Sequence, residues 1–378
     1  MEEATTYKLG DISTMKYGKL PPKHINEGNY PIWSGYRYVG KCNEFNCNKG
    51  DIIIVARGVG GTGDVKIAKE DCYLTNLSIQ VKLDKNICQP EYFYYSYLLS
   101  NLKYLDSGSA QSQITIEDLK RLEVTLPPLE QQHKITDILK SIDEKIELNR
   151  QINDNLEQQA QALYKSWFVD FEPFKDGEFI ESELGQIPEG WQCIPFSMFV
   201  TESKAKTGKI GIKEYSVTNN GIFPRDAKYN KSLSQSSTKN KLILYGDLVF
   251  GMSRDILNWG VMQEEQGGVS SAYTVYNINS GIVNSTYLEL FIKSRIHLFS
   301  DLIRPAAREG QGIDKSVLQT KVLLCPPQEV LDTFWPLYNS VTNQIQRTTT
   351  EINFLGDVRD TLLPKLMSGE LKINEIDC

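Results

Sequence analysis

The sequence predicts an α+β fold in which two β-rich globular modules are separated by two long helices, paired antiparallel as a coiled coil and related by an internal pseudo-twofold duplication. Three observations predict it. First, Ile135, Leu139, Ile142, Ile146, Asn149, Asn153, Leu156, Ala160, Leu163 and Trp167 follow alternating steps of four and three, and eight of the ten are apolar. That spacing is the seam of a coiled coil, while the polar residues between can face water. Second, the pattern returns 199 positions later in Phe334, Tyr338, Val341, Ile345, Thr348, Ile352, Leu355, Arg359, Leu362 and Leu366. Third, short strand-like runs broken by Gly, Asn and Asp precede each seam. A constant offset over such a length is the signature of a duplicated unit. Each stripe needs a partner. The other stripe of the same chain is expected to supply it, the alternative being separate partners in a homodimer.

Residues 1–127 read as the first module. Asp51 to Ala56, Val65 to Ala68 and Thr75 to Leu83 have strand composition, and Pro90 to Leu105 reads as a helix whose aromatic cluster packs beneath them. At that density aromatics on a helix are expected in a core, although a base-stacking platform uses the same residues. The proline pair Pro127-Pro128 opens 128–170, the first long helix, whose regular seam covers Ile135 to Trp167. Segment 171–190, rich in Pro, Gly and Glu, reads as a crossing linker. A second module is expected over 191–327, where Gly246-Asp247 answers Gly50-Asp51 and a helix from Ser285 to Leu302 answers the aromatic one. The second helix and tail take 328–378, with Pro364 predicted to end or kink the helix near Leu363.

Composition narrows the function. Net charge is −7 and the pI about 5.3, which argues against a protein that coats nucleic acid unaided. The sign is uneven, however: from Met198 to Gly260 ten Lys or Arg stand against five acids. That excess is compatible with DNA binding and equally with a solvated surface. No apolar stretch approaches a membrane span and the N-terminus lacks a signal region, so a cytoplasmic protein without membrane contact is expected. The seven cysteines are scattered without a C-x-x-C pair, and only three histidines are present. Reduced, packed thiols are expected rather than zinc.

Gly58-Val59-Gly60-Gly61-Thr62-Gly63 satisfies G-x-G-x-x-G after a strand. A dinucleotide site also requires a helix to begin there, and the residues that follow are too short and β-branched for one. A turn between strands is therefore expected. P-loop, nucleophile-elbow, HExxH and kinase signatures are absent, as is a methyltransferase Asn-Pro-Pro-aromatic motif, so recognition is expected rather than catalysis.

The run LPPLEQQHKITDILKSIDEKIELNRQINDNLEQQAQALYKSWFVDFEPF, then IPEGW at 187–191, and VRDTLLPKLMSGEL at 358–371 resemble the conserved regions of specificity (S) subunits of type I restriction-modification systems. The resemblance implies two target recognition domains that each read half of a bipartite double-stranded DNA site, separated by the paired helices. It further implies two methyltransferase (M) subunits, with S-adenosylmethionine as their cofactor and none in this chain, and restriction (R) subunits that translocate and cut DNA. Two departures qualify the equivalence of the halves: the second proline pair continues PPQEV rather than PPLEQQ, and RGVGGTG is replaced by GMSRDILNWG.

Such domains vary freely, so the DNA-contact candidates rest on chemistry alone. They are Lys16, Lys19, Arg37, Arg57, Gln111 and Gln113 in the first half, with Lys206, Lys209, Arg225, Ser253, Arg254, Arg308 and Gln311 in the second. Lysine suits phosphate, whereas arginine and glutamine can make bidentate contacts to bases. A structural salt bridge is the ordinary role of any single arginine. Two readings of other classes compete: a coiled-coil scaffold whose modules bind protein, distinguished by a lack of sequence-selective DNA binding, and an enzyme built on the glycine loop, distinguished by nucleotide binding that depends on Gly60.

Overall fold

The computed structural model describes residues 4–23, 25–58, 61–106, 113–225, 233, 237–252, 256–303 and 313–371. The chain divides into two compact units, Met1–Asp154 with Ile345–Cys378, and Asn155–Gln344. The division cuts through both long helices.

In the first unit the strands are β1 (Thr5–Lys8), β2 (Ser13–Tyr17), β3 (Tyr30–Ser34), β4 (Arg37–Cys42), β5 (Ile52–Val55), β6 (Val65–Ile67), β7 (Tyr73–Leu74), β8 (Ser78–Leu83) and β9 (Glu123–Leu126). The central sheet runs β2-β8-β5-β6, entirely antiparallel. A smaller sheet runs β4-β3-β7, and β1 pairs with β9. The apolar run Ile52 to Val55 is buried on both faces, as a central strand requires. The glycine-rich segment lies between the antiparallel strands β5 and β6, and no helix follows it. Gly63 there adopts φ 93°, and a Cβ on it would stand 2.4 Å from the Lys103 nitrogen, so no other residue fits.

Helix α1 (Pro90–Ser96) is shorter than predicted: the continuous helix expected to Leu105 stops at Ser96, and Lys103–Leu105 form a separate 3-10 turn. Asn101 accepts the Lys103 N–H at 3.1 Å, a local bond that competes with helix propagation. Tyr92, Phe93 and Tyr95 are buried, with Tyr94 and Tyr97 packed against the same core, so the aromatics serve packing. Helix α2 (Ile116–Lys120) starts with a Thr115/Asp118 capping box.

Helix α3 spans Leu129–Phe168, forty residues, and begins six positions before the first seam residue. Its first turn carries no apolar repeat. It is anchored instead by Gln132, fully buried, which accepts the Gln89 N–H and donates to the Ile87 and Pro127 carbonyls at 2.8–2.9 Å.

The second unit contains a hairpin of β10 (Phe179–Ser182) and β11 (Gly185–Pro188) inside the segment read as a plain linker. Gly185 turns it at φ 90°. Strands β12 (Gln192–Pro195), β13 (Val200–Ser203), β14 (Tyr215–Thr218), β15 (Gly221–Pro224), β16 (Lys241–Leu244), β17 (Leu248–Phe250), β18 (Trp259–Val261), β19 (Gln266–Val269) and β20 (Thr274–Ile278) follow. Their four-stranded sheet runs β13-β20-β17-β18, the same plan as β2-β8-β5-β6. Even the entry turns agree. Gly50 and Gly246 have φ 86° and 83°, and the following aspartates accept from Asn48 N and Leu244 N at 2.9 and 2.8 Å. Each also receives an amide from the neighbouring strand, Gln80 to Asp51 and Asn277 to Asp247.

Helix α4 (Ser285–Ser294) is capped by Asn284. The helix predicted to reach Leu302 breaks at Arg295, whose guanidinium donates to the Phe168 carbonyl at 2.6 Å, and resumes as a 3-10 segment, Ile296–Leu302. After α5 (Lys315–Thr320), strand β21 (Val322–Cys325) pairs with β12, as β9 does with β1. Helix α6 spans Gln328–Met367, so α6 lies 199 positions after α3 and has the same length, forty residues, and β21 bears the same offset to β9. Of the two outcomes expected at Pro364, an end or a kink near Leu363, the helix does not end there but runs on to Met367. The proline forgoes its own bond to the carbonyl four residues before it, and its carbonyl still accepts from Ser368 N at 2.9 Å.

Within the first unit, α3 and α6 touch through Asp143 with Arg359, Lys145 with Glu351, and Asn153 with Thr349. These pairs ascend one helix and descend the other. Ile135 and Leu139 share a core with Leu362, Leu363 and Leu366. In the second unit Tyr164 and Phe168 enclose Phe334, with ring centroids 6.3 and 4.7 Å apart. No seam position is exposed: Ile135, Leu139, Ile146 and Leu366 are buried, and Ile142, Leu156, Leu163, Trp167, Val341, Ile345, Ile352, Leu355 and Leu362 are half-buried.

Candidate nucleic-acid interface

In the first unit, four candidates are drawn to adjoining loops. The β3–β4 hairpin turns through Gly35, at φ 61°, and presents Tyr36 and Arg37. A Cβ on Gly35 would lie 3.5 Å from the Arg57 carbonyl, which places the hairpin tip against the end of β5. Arg57 in turn bridges Gln113. Gly18 packs on Thr75, where a Cβ would meet the carbonyl at 2.2 Å, and Lys19 pairs with Thr75. The Thr75 hydroxyl donates to Ser34 at the base of the hairpin, at 3.2 Å.

These residues are not equally available. Arg37, Lys16 and Lys19 are exposed. Arg57 and Gln113 are half-buried, and the Arg57 Nε is buried without a partner among the described residues. Lys16 lies upstream in β2, in register with Gln80. Sequence reasoning missed two tyrosines here. Tyr17 is exposed and accepts the Ile116 N–H at the start of α2, at 3.2 Å, and Tyr36 orients Arg37. A glycine followed by an aromatic and an arginine, between two strand-like runs, was the available signal for Tyr36.

In the second unit, Lys206 pairs with Lys241, and Lys209 stands exposed beyond it. Arg225 is half-buried and donates to the Ser216 hydroxyl at 2.7 Å, a tether that makes it part of the β14–β15 hairpin. Three lysines that were not candidates, Lys204, Lys241 and Lys315, act together on Glu202. The hydrogen bond from Lys315 and these charges hold the Glu202 carboxyl below its usual range. Burial, reinforced by Lys315 and Lys204, lowers the Lys241 ammonium against the opposing pull of Glu202. The sequence showed Lys204 and Lys241 only as part of a local basic excess, because Lys315, which completes the cluster, stands 74 residues after Lys241 and 111 after Lys204. Gln111, Ser253, Arg254, Arg308 and Gln311 lie outside the described residues.

No group of His, Cys, Asp and Glu able to hold a metal ion occurs among the described residues, and no described helix is long and apolar enough to cross a membrane. Burial pushes the Cys88 and Cys325 thiols up to about 12 and about 11, as packing in an apolar core does.

Residues 1–158 match the family described as the type I restriction modification DNA specificity domain. That match ends near Asp154, where the first segment of the first unit ends. Over nearly its whole length the chain is similar to the MjaIX specificity subunit of Methanocaldococcus jannaschii, at 28% identity covering 98% of this chain and 94% of the relative. These matches indicate a specificity subunit of a type I restriction-modification system. A shorter stretch is 42% identical to the HindI specificity subunit of Haemophilus influenzae, over 28% of this chain and 24% of that one. The fold is similar to that of an S subunit from M. genitalium, with a TM-score of 0.56, 16% identity and 96% coverage of both chains.

Proposed function

We propose that each β-rich unit of this specificity subunit reads one half of a bipartite DNA target, and that α3 and α6 pair as a duplicated, antiparallel coiled coil that sets the spacer between the halves. The repeat of β2-β8-β5-β6 as β13-β20-β17-β18 carries the reading, because two copies of one reader imply two half-sites. The 199-residue offset of the helices supports a pseudo-twofold relation.

The same helices dock methyltransferase subunits. Phe354 on α6, 63% exposed, and Leu148 and Ile152, one turn apart on α3, are apolar side chains that a soluble helix has no internal use for. Methylation with S-adenosylmethionine and cleavage by R subunits then take place in partners, on cytoplasmic DNA. Purified alone, the chain neither methylates nor cuts. The acidic total agrees with this division of labour, since partner subunits can supply much of the DNA clamp.

Single-molecule sequencing of host DNA for methylated adenine, with and without this gene, tests the proposal. A bipartite motif that disappears with the gene is the expected result. An unchanged methylation pattern rejects it.

A further inference from the structure

One arginine of the first unit is held in a fixed orientation with part of its guanidinium unused. At the β3–β4 tip the Arg37 Nε donates to the Tyr36 hydroxyl at 3.0 Å, and the guanidinium carbon stands 5.3 Å from the Tyr36 ring centroid. The ring is itself seated on Gly61, where a Cβ would come within 2.7 Å of Cδ1, so only glycine allows the approach. With Nε committed, Nη1 and Nη2 remain as a parallel pair of donors. They have no partner among the described residues, and the side chain is exposed.

A lysine meets phosphate as a point charge and asks little of orientation, whereas an arginine fork matches a pair of acceptors, on phosphate or on a base edge. A planar fork fixed by hydrogen bond and ring contact loses less side-chain freedom on binding, which suits an acceptor pair of fixed geometry. In the major groove guanine alone offers two adjacent acceptors, O6 and N7, whereas adenine sets a donor beside its N7.

We propose that Arg37 reads a guanine in the half-site recognised by the first unit, with Tyr36 and Gly61 as positioning residues. The inference rests on the DNA-reading role proposed for that unit and adds the base and the residue.

The test is the full chain with its methyltransferase partner in the host, mapping methylated adenine for the parent, Arg37→Ala, Arg37→Lys and Tyr36→Phe. Arg37→Ala is expected to relax a single guanine position in one half-site, with discrimination there falling roughly 10- to 100-fold, while the other half-site and spacer stay unchanged. Arg37→Lys should relax the same position, because an ammonium lacks the fork. Tyr36→Phe keeps the ring, removes the hydroxyl and should relax that position less. An identical motif, methylated as before or uniformly less, overturns the assignment and marks Arg37 as a phosphate contact or a bystander. Should methylation vanish in a variant, the purified complex is assayed on duplexes substituted one base pair at a time: loss of preference at one guanine upholds the proposal, and retention of every preference overturns it. A parent motif independent of this gene instead overturns the DNA-reading role, and with it this inference.

Discussion

Arg359 is the residue that most clearly departs from the apolar seam, and its surroundings account for it. Its guanidinium donates to Asp143 at 2.8 Å and to the neighbouring Asp360 at 2.8 Å, while Asp143 also accepts the Tyr95 hydroxyl at 2.8 Å. Arg359→Ala leaves Asp143 half-buried with one partner fewer, at a cost of about 1.5–3 kcal/mol in urea unfolding. Arg359→Leu combined with Asp143→Asn should recover most of that loss, because neither charge then needs a partner. Had the pair no structural role, the single variant would unfold at the parent's urea concentration. The thiols give a pH prediction. Burial raises the folded-state pKa of Cys88 to about 12 and of Cys325 to about 11, so the folded protein keeps protons that the unfolded chain releases from about pH 9. Their contribution is therefore complete below pH 9 and lost as pH rises through 9–12. Urea midpoints should fall over that window, and Cys88→Ala should flatten the decline relative to the parent.

At the scale of the element, the forty-residue helices follow from periodicity, but their ends do not. Leu139 is fully buried beside Leu362 and Leu366, and Leu139→Ala is expected to cost roughly 2–5 kcal/mol by leaving a cavity. Leu148→Ala, at a position 51% exposed, should leave the unfolding midpoint within about 0.5 kcal/mol of the parent. Equal destabilisation by the two would contradict the assignment of buried and exposed faces. Phe354→Asp belongs to the docking reading: the melting temperature should hold while co-purification with the methyltransferase subunit falls. Tyr164, Phe168 and Leu363 are buried although they lie one position off the seam. Near its ends each helix packs on a β-rich core as well as on helix, so the apolar stripe widens. A strict seam count passes over that widening.

For the whole molecule, the expected ruler makes a length prediction. Helical residues rise about 1.5 Å each, and duplex DNA advances about 3.4 Å per base pair. Four residues inserted in phase near Asn153 and near Ile352 lengthen both helices by roughly 6 Å and rotate their ends by about 40°. Methylation mapping should then return the same half-sites with a spacer one or two base pairs longer. An unchanged spacer would show that the helices do not set it. In the same way, replacing Met1 to Thr125 by the module of another specificity subunit should change one half-site only.

What the sequence determined by itself was local and repetitive: the seam of each long helix, the 199-residue offset between them, the strand–turn–strand nature of the glycine segment and the aromatic core beneath the first sheet. Those features are written in periodicity and composition, which neighbouring residues express without reference to the rest of the chain. Which basic residues are free to act was decided by tertiary structure. Arg37, Arg57 and Arg225 were equal candidates in sequence, yet Arg57 is half-buried with its Nε enclosed, Arg225 is tied to Ser216, and Arg37 stands exposed with two donors that have no partner among the described residues. Its orientation depends on Gly61, distant in sequence, just as the lysines around Glu202 depend on the approach of Lys315. Side-chain availability is a property of long-range packing, because burial and hydrogen-bond partners come from whichever segments the fold brings alongside.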